Sequence, residues 1–299
     1  MEKDLIIGAA SGYDWDKIKY WVNSIAKSGF KGDVVLVGTN MNKSTIDKLT
    51  ERGVKLSLFG KVTESGDVVA HSQGAPHVER FFYLSNYLDS IQEHYRYVIT
   101  TDTRDVVFQK NPSDWLENAL VFHSLVASSE GLKYINEPWG NQNLIESFGP
   151  FFHNKLKDHL IYNVGVVAGD LESVKSLLLL IFQLSINRPI PIVDQAVYNF
   201  ILSIHPFDKD TMFTSNDDGW AINLGTSVNA VRAGSGDLGA RCKDNIPALN
   251  KYLSTYEDTQ PTITKNGIVS NKYDLPFNIV HQWDRVPELN KLFEELYGD

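Results

Sequence analysis

The stretch YVITTDTRDVVFQKNP at residues 97–112 sets charged side chains directly after an apolar strand. Its first residues, YVIT, have the aromatic and β-branched composition of a buried strand. Asp102, Arg104 and Asp105 then follow before the chain returns to apolar residues. A charge that is buried without a partner is costly and usually neutralises instead. These three side chains therefore either lie in water at the strand end or hold something charged.

Apolar strands alternate with amphipathic helices on both sides of this stretch. On its N-terminal side the predicted strands are 5–10, 33–38 and 54–59, and the predicted helices are 16–28, 44–52 and 76–92. On its C-terminal side the predicted strands are 124–128, 163–170 and 277–283, and the predicted helices are 174–186, 194–202 and 287–297. Residues 203–276 are polar and rich in Gly, Asn and Asp, and we expect loops there. The alternation predicts an α/β fold with a mostly parallel central sheet flanked by helices, in a single domain over residues 1–299.

Composition and charge argue against several classes of partner. The net charge is −9 and no basic run occurs, which argues against nucleic-acid and anionic-membrane partners. The longest apolar run, LLLLIF at 177–182, is far shorter than the roughly 20 residues that a membrane span needs. Cys242 is the single cysteine, so neither an intramolecular disulfide nor a thiolate zinc cage can form. The N-terminus lacks a signal-peptide pattern, and we expect a cytoplasmic protein without a membrane span.

The acids of the opening stretch lie where a ligand is expected. In an open parallel sheet, ligands bind at the carboxyl ends of the strands, and Asp102 and Asp105 follow such an end. Carboxylate oxygens suit Mn²⁺ and Mg²⁺, and a nucleotide diphosphate would supply further oxygen ligands. The alternative is an ordinary turn in which both acids are solvated or paired with Arg104. The residues alone favour neither interpretation.

Three further positions each have a structural and a chemical interpretation. Arg80 precedes Asp102 by about 20 residues; its guanidinium could bind phosphate, although a solvated helix face is the better explanation of Arg80 taken alone. Asp194 and Gln195 begin a predicted helix, where Asp194 is either an N-cap or a ligand-binding group. His281 ends an apolar strand, where a histidine is more often a hydrogen-bonded core residue. Imidazole is, however, a common third metal ligand beside carboxylates.

Six short motifs follow one another between residues 5 and 285. They are, in chain order, AASGY (9–13), Arg80-Phe81, DTRD (102–105), Asn163-Val164-Gly165-Val166, Asp194-Gln195 and His281. Their type and order resemble those of the metal-dependent glycosyltransferases of the GT-A fold. The most similar pattern is that of the retaining group that includes glycogenin and the bacterial lipopolysaccharide galactosyltransferases. Each motif is weak alone, and the six in this order are fairly specific.

This resemblance implies a GT-A domain with a nucleotide-binding half at 1–110 and an acceptor-binding half at 111–299. It implies that a divalent cation, Mn²⁺ or Mg²⁺, is held by three side chains, namely Asp102, Asp105 and His281. The implied nucleotide- and donor-binding residues are Ala9, Ala10, Ser11, Tyr13, Arg80, Asp102 and Arg104. The implied catalytic residues are Arg80, which would contact the diphosphate or donor sugar, Asp194, which would bind sugar hydroxyls, and Gln195, which would lie near the anomeric carbon. The implied acceptor- and sugar-binding residues are Asn163 and Gly165.

The activity implied by the resemblance is transfer of a sugar from a nucleotide-diphosphate donor to a glycan or other hydroxyl acceptor, with retention of configuration. This chain departs from the family pattern at two positions. The metal motif is Asp-x-x-Asp rather than Asp-x-Asp, with Arg104 inserted, which leaves open which acid is the direct ligand. Ser11 occupies the position at which an acid of the family usually binds the uracil ring. UDP is therefore expected as the nucleotide from the family resemblance alone, and no residue at this position supports it.

Three alternatives stay open at this point. A sugar-1-phosphate nucleotidyltransferase usually has a basic Gly-rich loop after its first strand, whereas here that loop offers Lys17 alone. A non-catalytic sugar-nucleotide or glycan-binding protein would bind the donor and release no nucleotide. An inverting transferase needs a carboxylate general base, for which the loop candidates are Glu137, Asp217 and Asp218. Tryptophans that either stack on sugars or belong to the core are Trp139, Trp220 and Trp283.

Overall fold

The described strands form a seven-stranded sheet, a three-stranded sheet and two two-stranded sheets. The computed structural model describes residues 3–71, 74–227 and 261–299. The described strands are β1 (Lys3–Ser11), β2 (Asp33–Thr39), β3 (Lys55–Leu58), β4 (Lys61–Val62), β5 (Val68–Val69), β6 (Tyr95–Thr101), β7 (Val106–Phe108), β8 (Leu125–Lys133), β9 (Leu160–Asp170), β10 (Thr211–Thr214), β11 (Ala221–Asn223), β12 (Thr262–Ile263), β13 (Val269–Ser270) and β14 (Ile279–His281). The described helices are α1 (Trp15–Lys27), α2 (Lys43–Glu51), α3 (Pro76–Ser90), α4 (Pro112–Ala119), α5 (Pro138–Leu156), α6 (Leu171–Ser185), α7 (Asp194–Leu202), α8 (Phe207–Asp210), α9 (Leu224–Ser227) and α10 (Pro287–Tyr297). The two-stranded sheets are β4-β5 and β12-β13.

The central sheet is mostly parallel, as predicted. Within the described residues it has seven strands in the order β10-β8-β9-β6-β1-β2-β3. Strand β6 pairs in parallel with β1, β1 with β2, and β2 with β3. Strand β9 runs antiparallel to both of its neighbours, β6 and β8. Because three parallel strands end together beside β6, the residues after β1 and β6 meet at one edge of the sheet.

Both faces of the sheet are covered by helices. Along β1, the side chains of Leu5 and Ile7 pack with α3, α6 and α7, whereas that of Ile6 packs with α1. This alternation follows from the pleat, which sends successive side chains to opposite faces. A strand that is buried on both faces reads as a continuous apolar run, as LIIGAA does. The architecture is therefore an α/β sheet with a helical layer on each side.

A second, three-stranded sheet, in the order β11-β14-β7, brings the C-terminal region to the metal motif. Strand β14 pairs antiparallel with β7, and His281 lies opposite Val106. The paired strands pack with α10 through an apolar cluster that includes Val107, Val280 and Phe293. This pairing places the end of β14 directly beside the DTRD turn, about 180 residues away along the chain.

Some predictions about elements were wrong or incomplete. The interval 203–276 was predicted as loops, but it contains β10, which extends the central sheet, and also β11, β12 and β13. The part of that interval at 228–260 lies outside the described residues. Helices α4 and α5 were not predicted; α5 is interrupted at Gly149, whose φ of 74° is left-handed, and at Pro150. No helix in the described part of the chain is long and apolar enough to cross a membrane.

Candidate functional site

The DTRD turn lies at the carboxyl ends of β1 and β6, where the parallel strands finish. Thr103 donates from its hydroxyl to the carbonyl oxygen of Ala9 at 3.1 Å, which ties the turn to the end of β1. The turn packs closely on that strand, because a Cβ added to Gly8 would lie 2.2 Å from Cγ2 of Thr103. Side chains that follow β6 are therefore held against the residues that follow β1.

Asp102, Asp105 and His281 form a group that could hold a metal ion. One ligand atom from each side chain can be chosen so that all three lie within 4.8 Å of one another. Nε2 of His281 lies 3.5 Å from Oδ2 of Asp102 and 3.7 Å from Oδ1 of Asp105. Two carboxylates and one imidazole are a donor set for a divalent cation such as Mn²⁺. The solvated alternative for both acids is wrong, since Asp105 is buried and Asp102 is partly buried.

The imidazole of His281 is oriented by a residue that sequence reasoning missed, Asn223. Oδ1 of Asn223 lies 2.9 Å from Nδ1 of His281, and Nδ2 of Asn223 donates to the carbonyl oxygen of Ser129 at 3.1 Å. Because the amide nitrogen is used by Ser129, the amide oxygen faces Nδ1, which therefore carries the ring proton. Nε2 is the ring nitrogen that faces the two aspartates. A polar partner on the second ring nitrogen is the usual companion of a metal-binding histidine.

Gly165 supports the same group through its backbone. Its carbonyl oxygen accepts from the N–H of Asp102 at 2.9 Å, which fixes the first residue of the turn. A Cβ at this position would lie 2.5 Å from Cε1 and 2.9 Å from Nε2 of His281. No side chain fits there without displacing the imidazole. The predicted acceptor-binding role of Gly165 stays a prediction, and the geometry gives it a packing role as well.

Arg80 lies between two carboxylates rather than on a solvated helix face. Its Nη1 donates to Oδ1 of Asp102, and its Nη2 donates to Oδ2 of Asp194 at 2.9 Å. Burial favours the protonated form of Asp102, but the charge of Arg80 and then the contact with His281 outweigh it and hold the pKa of Asp102 well below its usual range. The N-cap interpretation of Asp194 is also wrong. The cap of α7 is Val193, and the buried Asp194 carboxylate makes no capping hydrogen bond.

Two further arginines, Arg104 and Arg285, pair with Asp105 of the possible metal-binding group. Nη1 of Arg285 donates to Oδ2 of Asp105 at 2.8 Å, and Nη2 of Arg104 lies 3.3 Å from the same oxygen. Both arginines also contact Asp284. Asp105 is thus paired with Arg104, as the turn interpretation predicted, and it is also one of the three possible ligands. Gln282, at a left-handed φ of 60°, turns the chain between His281 and Arg285, and its N–H donates to the carbonyl oxygen of Asp105 at 2.7 Å.

Two clefts meet at this group. The first has a volume of about 350 Å³, and all of the predicted donor-binding residues line it: Ala9, Ala10, Ser11, Tyr13, Arg80, Asp102 and Arg104. The second has a volume of about 360 Å³, and its lining includes the remaining predicted sugar- and acceptor-binding residues: Asn163, Gly165, Asp194 and Gln195. Their common wall consists of His77, Arg80, Asp102, Arg104, His281, Gln282 and Arg285. A ligand that spans the wall would pass the possible metal ligands.

The alternative candidates lie in different places. Glu137 lines the second cleft, where its carboxylate accepts from the N–H of Trp139 at 3.2 Å at the start of α5. Neither Asp217, which pairs with Lys272, nor Asp218, which accepts from the N–H of Ser215 in a short turn, lines either of these two clefts. Trp139 is partly exposed and lines the second cleft, whereas Trp220 and Trp283 are buried in the apolar clusters and are core residues.

Glu130 is a further cleft residue that sequence reasoning missed. It is buried near the end of β8, and it lines the second cleft beside Gln195 and Asn163. Burial, and then the neighbouring charge of Glu137, raise the pKa of Glu130 to about 7. Its sequence signal is an acid inside an otherwise apolar and small-residue strand, LVASSEGLK. A carboxyl side chain is buried in a strand only where hydrogen-bonding or charged partners compensate for the loss of water.

Comparison with known protein families finds no family that matches the chain, and comparison with curated proteins finds no matching relative. The assignment of function therefore has to come from the chemistry of the site. That chemistry comprises a possible divalent-cation group at the wall between two clefts, with arginines on either side of it.

Proposed function

We propose that this protein is a divalent-metal-dependent glycosyltransferase that moves a sugar from a nucleotide-diphosphate donor to a hydroxyl acceptor, with retention of configuration. The observation that carries the proposal is the possible metal-binding group of Asp102, Asp105 and His281, of which Asp102 and His281 lie in the wall shared by the two clefts. The first cleft would take the nucleotide, and the second would take the transferred sugar and its acceptor. Of the possible nucleotides, UDP is favoured by the family resemblance.

The residues of the group fit a hard or borderline divalent cation. Two carboxylate oxygens and Nε2 of His281 would supply three ligands, and the contact of Asn223 with Nδ1 leaves Nε2 as the ring nitrogen that could bind the ion. When bound, Mn²⁺ or Mg²⁺ would act as a Lewis acid for the diphosphate oxygens, which gain negative charge as the sugar–phosphate bond breaks. The three ligand residues, Asp102, Asp105 and His281, would hold the ion.

Arg80 supplies a fixed positive charge at the same place. Its guanidinium is oriented by Asp102 and Asp194, so its charge is already in position before a diphosphate arrives. Preorganised donors near developing negative charge are among the largest contributors to catalysis, and loss of one typically costs about 3–4 kcal/mol in transition-state stabilisation. Arg104 and Arg285 add positive charge along the wall shared by the clefts.

Asp194 and Gln195 would face the sugar from the second cleft. Both residues are in the first turn of α7, and Arg80 holds the carboxylate of Asp194 at 2.9 Å. Nε2 of Gln195 donates a hydrogen bond to Glu130 at 3.1 Å. The atom that the Gln195 side chain can offer to a bound ligand is therefore its amide oxygen, Oε1. An amide oxygen there would stabilise the positive charge that develops at the anomeric carbon as the diphosphate leaves.

Nucleotide release from a panel of UDP- and GDP-sugars, with Mn²⁺ or with EDTA, tests the proposal. We expect Mn²⁺-dependent release of the nucleoside diphosphate by wild-type protein. We expect loss of that release in Asp105→Asn, and retention of it in the matched surface variant Asp47→Asn, whose carboxylate pairs with Lys43 on α2. Donor binding without release in the presence of varied acceptors would favour a binding protein, and pyrophosphate release would favour a nucleotidyltransferase. Equal release in EDTA would contradict the metal-dependent mechanism.

A further inference from the structure

Glu130 occupies a central position in a hydrogen-bond network at the second cleft. The side chain is buried, at 4% exposure, although it carries an ionisable group. A single oxygen, Oε1, accepts from Nδ2 of Asn163 at 2.6 Å and from Nε2 of Gln195 at 3.1 Å. The two donors come from different elements, since Asn163 lies in β9 and Gln195 lies in α7. Glu130 therefore joins the sheet to the helix that carries the sugar-facing residues.

The direction of both carboxamides follows from the chemistry of this contact. A carboxylate oxygen accepts hydrogen bonds and donates none, so each amide must turn its NH₂ toward Glu130. The oxygen of Asn163 then faces away, and it accepts from the N–H of Gly165 at 2.7 Å. A reversed Asn163 amide would set its NH₂ against that N–H and its oxygen against the carboxylate. The same reasoning leaves Oε1 of Gln195 as the atom available to the cleft.

We propose that Glu130 is a positioning residue that fixes the orientation of the Gln195 and Asn163 carboxamides, so that Gln195 presents its oxygen to the second cleft. For Gln195 the effect reaches a bound sugar, if the proposed function is right. For Asn163 the effect reaches the metal motif, because Gly165, which Asn163 holds, accepts from the N–H of Asp102. Glu130 thus acts through its neighbours, without touching the reacting atoms.

The orientation itself can be tested without any substrate. In ¹H–¹⁵N spectra at pH 8.5, the side-chain amide signals of Gln195 and Asn163 are identified by their loss in Gln195→Glu and Asn163→Asp. We expect each residue to have one NH₂ proton shifted downfield by the charged acceptor. Glu130→Gln keeps the shape of the side chain but offers a donor as well as an acceptor. In that variant we expect both shifted protons to move upfield, or their signals to double as the amides sample two orientations.

The matched control is Glu137→Gln, which removes a second buried acid of the same cleft. Glu137 accepts from backbone N–H groups of α5, at Trp139 and Gly140, whereas Glu130 accepts from the two carboxamides. We expect the Gln195 and Asn163 signals of this variant to match those of the wild-type protein. If Glu130→Gln leaves both signals unchanged while its melting temperature shows a folded protein, or if Glu137→Gln moves them equally, the proposal is overturned.

A kinetic measurement separates this proposal from the proposed function. With UDP-glucose and UDP-galactose as probes, we expect Glu130→Gln to lower kcat about 10–100-fold while KM for the donor changes less than about threefold. A kcat equal to the wild-type value on a probe that is turned over would overturn the role toward Gln195. If wild-type protein turns over no nucleotide sugar, the proposed function fails, and the spectroscopic comparison still decides whether Glu130 orients the two amides.

Discussion

Gly165→Ala tests the metal group through one added methyl. A Cβ at this position would lie 2.5 Å from Cε1 and 2.9 Å from Nε2 of His281, and 2.9 Å from Oδ1 of Asn163. To restore ordinary van der Waals contact near 3.4 Å, the imidazole must retreat by about 0.9 Å (from 2.5 to 3.4 Å). Ligand distances in metal sites tolerate only about 0.2 Å. His281 would therefore leave the position in which its Nε2 shares an ion with the two aspartates.

The expected consequence has two parts. Overpacking of this kind costs about 1–3 kcal/mol of folding free energy, so the melting temperature should fall. Displacement of one ligand should weaken Mn²⁺ binding at least about 10–100-fold, the range seen when only the supports of a ligand are lost. Isothermal calorimetry with MnCl₂ measures the affinity, and thermal unfolding measures the stability.

A matched variant separates the two effects. Gly38→Ala in β2 creates a comparable clash, because its Cβ would lie 2.8 Å from Cδ2 of Leu58 and 2.9 Å from Cγ of Met41. We expect Gly38→Ala to lower the melting temperature and to leave the Mn²⁺ affinity unchanged. Unchanged Mn²⁺ affinity in a destabilised Gly165→Ala protein would mean that the imidazole of His281 takes no part in metal binding.

Other contacts of the same site give further expectations. Asn223→Leu removes the acceptor that orients His281, and calorimetry should find Mn²⁺ bound about 10–100-fold more weakly. An affinity equal to that of the wild type would mean that Asn223 does not support metal binding. Asp194→Asn takes away one of the two carboxylates that orient Arg80, and kcat for nucleotide-sugar turnover should fall about 10–100-fold; wild-type turnover would leave this ion pair a purely structural role. Burial, and then the charge of Glu137, raise the pKa of Glu130 to about 7. The protonated Glu130 side chain therefore contributes its full share to the stability of the fold below about pH 4.3, and this share is lost as the pH rises through about 7. Denaturant unfolding in EDTA at pH 5 and pH 8 should therefore show that the free energy of unfolding of Glu130→Gln, relative to that of the wild type, is higher at pH 8 than at pH 5. A difference between the two proteins that does not change with pH would contradict the raised pKa.

The periodic elements could be predicted from the sequence because burial leaves a pattern. The apolar run LIIGAA and the stripe at 76–92 correspond to β1 and α3, whose apolar side chains are buried as expected. Helix α10 was predicted at its observed bounds. The direction of β9 could not be predicted, because an apolar strand has the same composition whether it runs parallel or antiparallel to its neighbours. Helix α5 was missed because Gly149 and Pro150 interrupt its pattern.

The candidate site was predicted as a set of residues, and the structure brings that set together around two clefts. What the sequence could not supply was the set of partners that hold those residues. Asn223 and Glu130 act through contacts with residues about 58 and 65 positions away, and such pairings leave no local pattern. The N-cap interpretation of Asp194 failed for the same reason. An acid at the start of a helix usually caps it, but here the partly buried guanidinium of Arg80 binds it instead.

The decisive measurement is whether the protein needs a divalent cation to bind a nucleoside diphosphate. Calorimetric titration of UDP into wild-type protein should be performed in MnCl₂ and in EDTA, with His281→Ala as the variant that removes one possible ligand. We expect binding in MnCl₂, loss of most of the affinity in EDTA, and a similar loss in His281→Ala even with Mn²⁺ present. If UDP binds equally well in EDTA, or if GDP, ADP and UDP all fail to bind with Mn²⁺, then Asp102, Asp105 and His281 do not form the cation site of a nucleotide-sugar transferase.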